Sequence, residues 1–198
     1  SWDSKFTINI NTEMNYWPAG MCNLSSTQLP LFDLIERARE DGRRVARTMY
    51  GASGFVLHHN TDGWGHAVPI DGVGSGIWAM GAAWLCLHYW DHYEFTLDRE
   101  FLAKRGYPVM KEAAEFLLDY LIDDGKGRLI TGPSLSPENR YKTASGTVGK
   151  LCMGPTMDLE IVDALFRRVE TAAKVLGTDP AFAKKVADAR AKLFPLQI

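Results

Sequence analysis

Cysteine is scarce in this 198-residue chain: Cys22, Cys86 and Cys152 stand far apart, with no CxxC among them. An odd, widely spaced set argues against a disulfide framework and a structural zinc site, and leaves the three as small apolar residues of the interior. Long hydrophobic runs are missing too. Every apolar stretch meets Gly, Asp or His before the ~18 residues that a spanning helix needs, so no membrane segment is expected. Neither sign of charge dominates: 22 Lys and Arg against 24 Asp and Glu give a formal charge of −2. Without a basic patch the chain offers no footprint for nucleic acid or anionic lipid. Low-complexity tracts and short helical repeats are absent as well, and one domain over residues 1–198 is the reading. No methionine opens the chain at Ser1, so the start of the protein is expected upstream, with any signal peptide.

What is present is a globular composition, 46% hydrophobic and 23% charged, patterned mostly for helix. Leu31, Ile35, Ala38, Val45 and Met49 recur at helical spacing and predict a first helix. A second, over about residues 77 to 93, is apolar on most sides and is expected inside. A third spans about 107 to 123, with Val109, Ala113, Phe116 and Tyr120 on one face. A fourth covers about 156 to 176 and closes on Gly177. Asp179 and Pro180 then supply the cap and first turn of a fifth helix carrying Phe182, Val186, Ala189 and Leu193. Residues 4 to 10 alternate as a strand would and are expected to pair with residues 128 to 131.

Between the helices lie long connections, 51 to 74 and 125 to 155, rich in Gly, Pro, Asn, Ser and Thr; loops of that length in a helical protein are usually functional. The fold class is therefore all-α, with helical hairpins joined by long loops around a cleft. A toroid of six hairpins needs twelve helices, at ~11–12 residues each plus connections. The predicted helices make an incomplete (α/α)6 toroid.

Three segments could carry chemistry. In Gly132-Pro133-Ser134-Leu135-Ser136-Pro137-Glu138-Asn139, Pro137 fixes its own φ and pushes Ser136 toward extended geometry, so Glu138 is rigidly aimed. Partial desolvation by aromatic neighbours would raise its pKa and keep it protonated as a general acid. Taken alone, the octet reads more simply as a loop carboxylate paired with Arg140 or solvent. The run Asn9-Ile10-Asn11-Thr12-Glu13-Met14-Asn15-Tyr16-Trp17-Pro18 mixes amides with aromatics, as sugar sites do, and strand alternation would put Asn9 and Asn11 on one side; turn chemistry explains its asparagines equally well. The run His58-His59-Asn60-Thr61-Asp62-Gly63-Trp64-Gly65-His66 is dense in metal-ligand types, but it is Gly-broken and lacks ligand spacing. Polar residues lining a wet cleft are the better reading, and no metal or cofactor is expected. His88 and His92 are read as core histidines. Trp78, at the mouth of the inner helix, suits either core or binding platform.

In order and in wording, the blocks NINTEMNYWPAG, HHNTDGWGHAVPIDG, WAMGAAWLCLHYWDHYEFT, GPSLSPENRY and GPTMDLEIV resemble the 1,2-α-L-fucosidases and α-L-galactosidases of glycoside hydrolase family 95. The resemblance implies an (α/α)6 barrel and hydrolysis of terminal α-L-fucosides, or α-L-galactosides, with inversion. It assigns the acid to Glu138 and the holding of the attacking water to Asn9 and Asn11. Thr7, Trp17, His59, Asp62, Trp64, His66, Trp78 and Ser136 are the expected substrate contacts, Thr7 standing where family members vary and the C6 substituent is sensed. The family's basic Asp belongs to a later barrel segment, so the base is expected beyond Ile198 and the fragment alone is expected to be inactive; neither Asp158 nor Asp163 matches it. A fucosylated oligosaccharide or glycan is the implied substrate, and an extracellular or periplasmic setting the implied location. The competing readings are a non-catalytic carbohydrate-binding or inert helical fragment, and a related (α/α)-barrel lyase or phosphorylase.

Overall fold

Apolar residues three and four apart force the longest helices onto a shared interior. The computed structural model describes residues 5–196, beginning with α1 (Asn11–Met21) and α2 (Leu29–Val45). In α2 the buried stripe is Leu31, Phe32, Ile35, Ala38, Gly42 and Val45, with Pro30 in its first turn, where a missing N–H costs nothing. The helix runs on through a wider turn, Ala46–Tyr50, and stops at Gly51, whose φ of 63° suits glycine. Met49, expected on the apolar stripe, is exposed because that wider turn rotates it outward.

A single turn, α3 (Val73–Gly76), precedes the inner helix α4 (Gly81–Thr96). Phe32 stacks on Tyr89 of α4 with centroids 4.4 Å apart, a contact worth about 0.5–1.5 kcal/mol beyond burial. His92 bonds Gln28 at 2.9 Å, and both it and His88 are buried as core histidines. Next, α5 (Arg99–Phe101), capped by the Asp98 carboxylate, leads through Leu102–Gly106 into α6 (Tyr107–Tyr120). The two remaining helices are α7 (Thr156–Leu176) and α8 (Pro180–Arg190). Helix α4 packs against α1, α6 and α7, and α7 packs against α8. Glu112 of α6 accepts from Arg39 at 3.0 Å and from Arg43 at 2.8 Å, tying α6 to α2.

Several local expectations change. Asp179 does not cap α8. Its carboxylate accepts from Lys111 at 2.8 Å and Tyr107 at 3.2 Å, so it ties α6 to the start of α8 instead. The third helix ends at Tyr120, because Leu121 turns extended and residues Ile122–Asp123 pair with Leu129–Ile130. That pairing occupies the strand expected to receive residues 4 to 10. Phe6–Thr7 pair instead with Asn60–Thr61; residue 4 lies outside the described residues. Of the cysteines, Cys86 is buried, Cys152 half-buried and Cys22 exposed. Among the described residues no helix is long and apolar enough to cross a membrane, and no three potential ligands gather for a metal.

Candidate active site

Wholly buried Ile8 pins the N-terminal segment: its N–H donates to the His59 carbonyl at 2.8 Å, beside the Phe6–Thr7 pairing with Asn60–Thr61. Thr7 and Asn9 thereby stand against His59 and Asn60. The chain then turns, Thr12 Oγ1 donating back to the Thr7 carbonyl at 2.8 Å, and α1 begins at Asn11. Strand alternation therefore does not hold here. Asn9 is buried while Asn11 is an exposed first-turn residue of the helix.

The Glu138 loop is held from three sides. Ser134–Leu135 pair with Leu151–Cys152, the Tyr120 hydroxyl donates to the Pro133 carbonyl at 3.2 Å, and the Thr131 hydroxyl donates to buried Asp158 at 2.9 Å. Asn139 closes the turn on Ser136, N–H to carbonyl at 2.6 Å and amide to hydroxyl at 3.2 Å. Ser136 shapes the loop rather than the cleft wall. Glu138 projects from this loop, exposed, and among the described residues it forms no ion pair with Arg140 or any other group.

These pieces meet at a cleft of about 410 Å³ lined by Thr7, Asn9, His59, Asn60, Asp71 and Glu138. Among the described residues no Phe, Tyr or Trp lines it, so the expected desolvation of Glu138 by such rings is not what this cleft provides. The cleft wall is organised by Asp71, which accepts from Lys5 at 2.9 Å, His59 at 3.1 Å and Asn60 at 3.0 Å. Lys5 above all, then His59, hold the Asp71 carboxyl below its ordinary value, while burial holds the His59 imidazole down. Three lining residues keep a buried polar atom without a hydrogen-bond partner among the described residues: Thr7 Oγ1, His59 Nδ1 and Asn60 Oδ1. Orphans of this kind are rare in folded proteins, and here they surround a space fit for hydroxyls.

The other expected site residues separate into four groups. Asp62, Trp64 and His66 line an adjoining depression that shares Lys5, Asn60 and Asp71 with the cleft. Asp62 accepts from the Trp64 and His66 amides at 2.9 and 3.2 Å and from the His66 ring at 2.7 Å. Burial pushes Asp62 up, but the bonds from His66 and Trp64 hold it below its ordinary value, and the same bond raises His66. Asn11 borders a third depression with Lys5, Thr7 and Thr12. Trp17 is half-exposed on α1, outside both the cleft and the Trp64 depression. Trp78 is fully buried with its indole N–H on Asp158 at 3.1 Å, so it is core and no platform for a sugar.

The reading from residue types missed Lys5, Asp71, Arg140 and Lys150 as lining of the cleft, whereas Asn60 lies in the run read as polar cleft lining. Only Asp71 carried a signal, as the first residue of an Asp-Gly turn; its φ is 63°.

A model of the glycosyl hydrolase family 95 catalytic domain matches residues 1–198. The chain belongs to glycosyl hydrolase family 95. Among curated relatives, this family 95 chain is 41% identical over 199 residues to "Alpha-L-fucosidase 2" of Arabidopsis thaliana, covering 100% of the chain and 24% of that protein. It is 31% identical to "Probable alpha-fucosidase A" of Aspergillus niger, over 75% of the chain and 19% of that protein. The chain thus spans a quarter or less of these relatives. In shape it is similar to "Putative kojibiose phosphorylase from human microbiome", with a TM-score of 0.61 and 13% identity over 80% of the chain and 24% of that structure. That likeness shows the fold, and the helical hairpins of this family 95 chain are part of an (α/α)6 toroid.

Proposed function

We infer that the protein carrying this chain hydrolyses terminal α-L-fucosides with inversion, Glu138 giving a proton to the leaving oxygen. The observation that carries the reading is an unpaired Glu138 in one cleft with Thr7, His59 and Asn60, each of which holds an orphaned polar atom. A sugar hydroxyl both donates and accepts, and it would satisfy such atoms. Family membership and fucosidase-named relatives support the same substrate.

Asn9, buried at the cleft wall, is the better placed of the two asparagines to hold the attacking water through its amide oxygen. Asn11, in the third depression with Lys5, Thr7 and Thr12, would act with it once substrate and the rest of the barrel are in place. An amide is too weak a base to take the proton. Asp71 is no substitute, since three donors already hold it ionised and weaken its basicity. The base is therefore a carboxylate from elsewhere in the protein, set ~6.5–9.5 Å from the acid as inversion requires. Thr7 offers the C6 position only a small hydroxyl, which admits L-galactose as well as L-fucose.

The test is Glu138→Gln in the full-length protein, with a fucosylated oligosaccharide as substrate. Turnover should fall by about 10²–10⁴-fold, and the sugar first released by the parent should be the β-anomer by NMR. Unchanged turnover would remove Glu138 from the reaction, and an initial α-anomer would remove inversion.

A further inference from the structure

Two positive charges in the Glu138 cleft have no carboxylate partner among the described residues. Lys5, Arg140 and Lys150 all line it, against Asp71 and Glu138. Lys5 is neutralised by Asp71 at 2.9 Å. Lys150 donates only to the Gly74 carbonyl at 3.1 Å, and Arg140 makes no hydrogen bond or ion pair among the described residues. A general acid works from its protonated, neutral form. With Glu138 neutral, Arg140 and Lys150 face no carboxylate among the described residues, and the single negative charge of the base offsets at most one of them.

Their position says which part of a substrate they read. The acid must face the oxygen joining the fucosyl unit to its neighbour, and Arg140 is two residues further along the same loop, so these cations flank the leaving group. On the reading of Glu138 as acid, we propose that the cleft selects fucosides whose leaving sugar carries an anionic substituent, a carboxylate or a sulfate ester. The guanidinium matches either group in bidentate fashion and Lys150 adds a second point charge. The neutral wall of Thr7, Asn9, His59 and Asn60 is left for hydroxyls.

Three matched disaccharides separate the possibilities: α-L-fucosyl-(1→2)-galactose, the same with galacturonic acid, and the same with galactose 6-sulfate. With the full-length protein at low ionic strength, kcat/KM for the charged pair should exceed that for the neutral one by about three- to tenfold. The advantage should shrink toward one as salt rises. Arg140→Gln with Lys150→Gln should bring the ratio to about one, while Arg140→Lys should retain part of it, with circular dichroism confirming the fold of each. A preference for the uronate alone or the sulfate alone names the source of the charge. Faster release from the neutral substrate, or a preference that survives the double substitution, overturns the proposal while leaving the fucosidase reading intact. Release from none of the three sinks both.

Discussion

Trp78 donates its indole N–H to the Asp158 carboxylate at 3.1 Å, and the Thr131 hydroxyl donates to the other oxygen at 2.9 Å, with all three residues buried. Asp158 belongs to α7, Trp78 to the approach to α4, and Thr131 to the connection that follows Leu129–Ile130 and leads into the Glu138 loop. One carboxylate therefore fastens the Glu138 loop to the helical core. Burial pushes Asp158 up to about 6, against the pull of Ser134, Thr131 and Trp78.

Asp158→Ala would strand two buried donors. The expected loss is about 2–5 kcal/mol in denaturant unfolding, with kcat falling as the acid loop loosens. Asp158→Asn, which still accepts, should lose much less. Equal stability of the alanine variant and the parent would show that the loop is anchored elsewhere.

Glu13 gives a pH signature in the alkaline direction. It is wholly buried in the first turn of α1 and neither oxygen has a hydrogen-bond partner among the described residues. Burial pushes its carboxyl up to about 8, against a smaller pull from the Glu13 and Ile10 amides. The fold favours the neutral acid, so its contribution is whole below about 4.5 and drains away as pH rises through about 8. Glu13→Gln should stabilise the chain increasingly across that window, by up to a few kcal/mol at its top. A melting-temperature difference that stays flat from pH 4 to 9 would contradict this.

His58 works in the acid direction. Its Nδ1–H is placed to donate to the Ala67 carbonyl at 2.7 Å, leaving Nε2 to accept from the Tyr50 hydroxyl at 2.7 Å. Burial holds the imidazole down to about 4, and burial does the same to His88. Both are neutral in the fold while the unfolded chain takes up protons near 6.5, so stability is full above that pH and falls as pH drops toward 4. The expected cost is on the order of 3 kcal/mol per histidine. His58→Phe should lower the melting temperature at pH 7 yet flatten its acid slope, and an unchanged slope would assign the acid sensitivity elsewhere.

Asp71 should matter for binding more than for folding. Its side chain is half-exposed yet orders Lys5, His59 and Asn60 at the cleft wall. In the full-length protein, Asp71→Ala should lower kcat/KM about five- to thirtyfold, mostly through KM. Its melting temperature should move little, because exposed ion pairs contribute ~0–1 kcal/mol. A kcat loss as deep as that of Glu138→Gln would instead place Asp71 in the chemistry.

The long helices were legible because their signal is local. The stripe Leu31, Ile35, Ala38 and Val45 names its own buried face, and Gly177 ends α7 with a φ of 69° as only glycine does cheaply. Helix α1 was not legible. It buries only Thr12, Glu13 and Ala19 and contains Pro18, so it has no apolar period to read. The five ordered blocks named the family and pointed to Glu138, which no periodicity could do.

Residue spacing was enough to determine helix class, and the wording of five ordered blocks was enough to show the family and single out the Glu138 loop as a candidate, because each is written in neighbouring residues. Which side chains share the cleft was decided only by long-range contacts. The pairing of Phe6–Thr7 with Asn60–Thr61 brings Lys5 to Asp71, and the pairing of Ser134–Leu135 with Leu151–Cys152 brings Lys150 to the loop of Glu138 and Arg140. Those same contacts set desolvation, and desolvation made Trp78 core, left Glu13 without a partner and kept Glu138 in water.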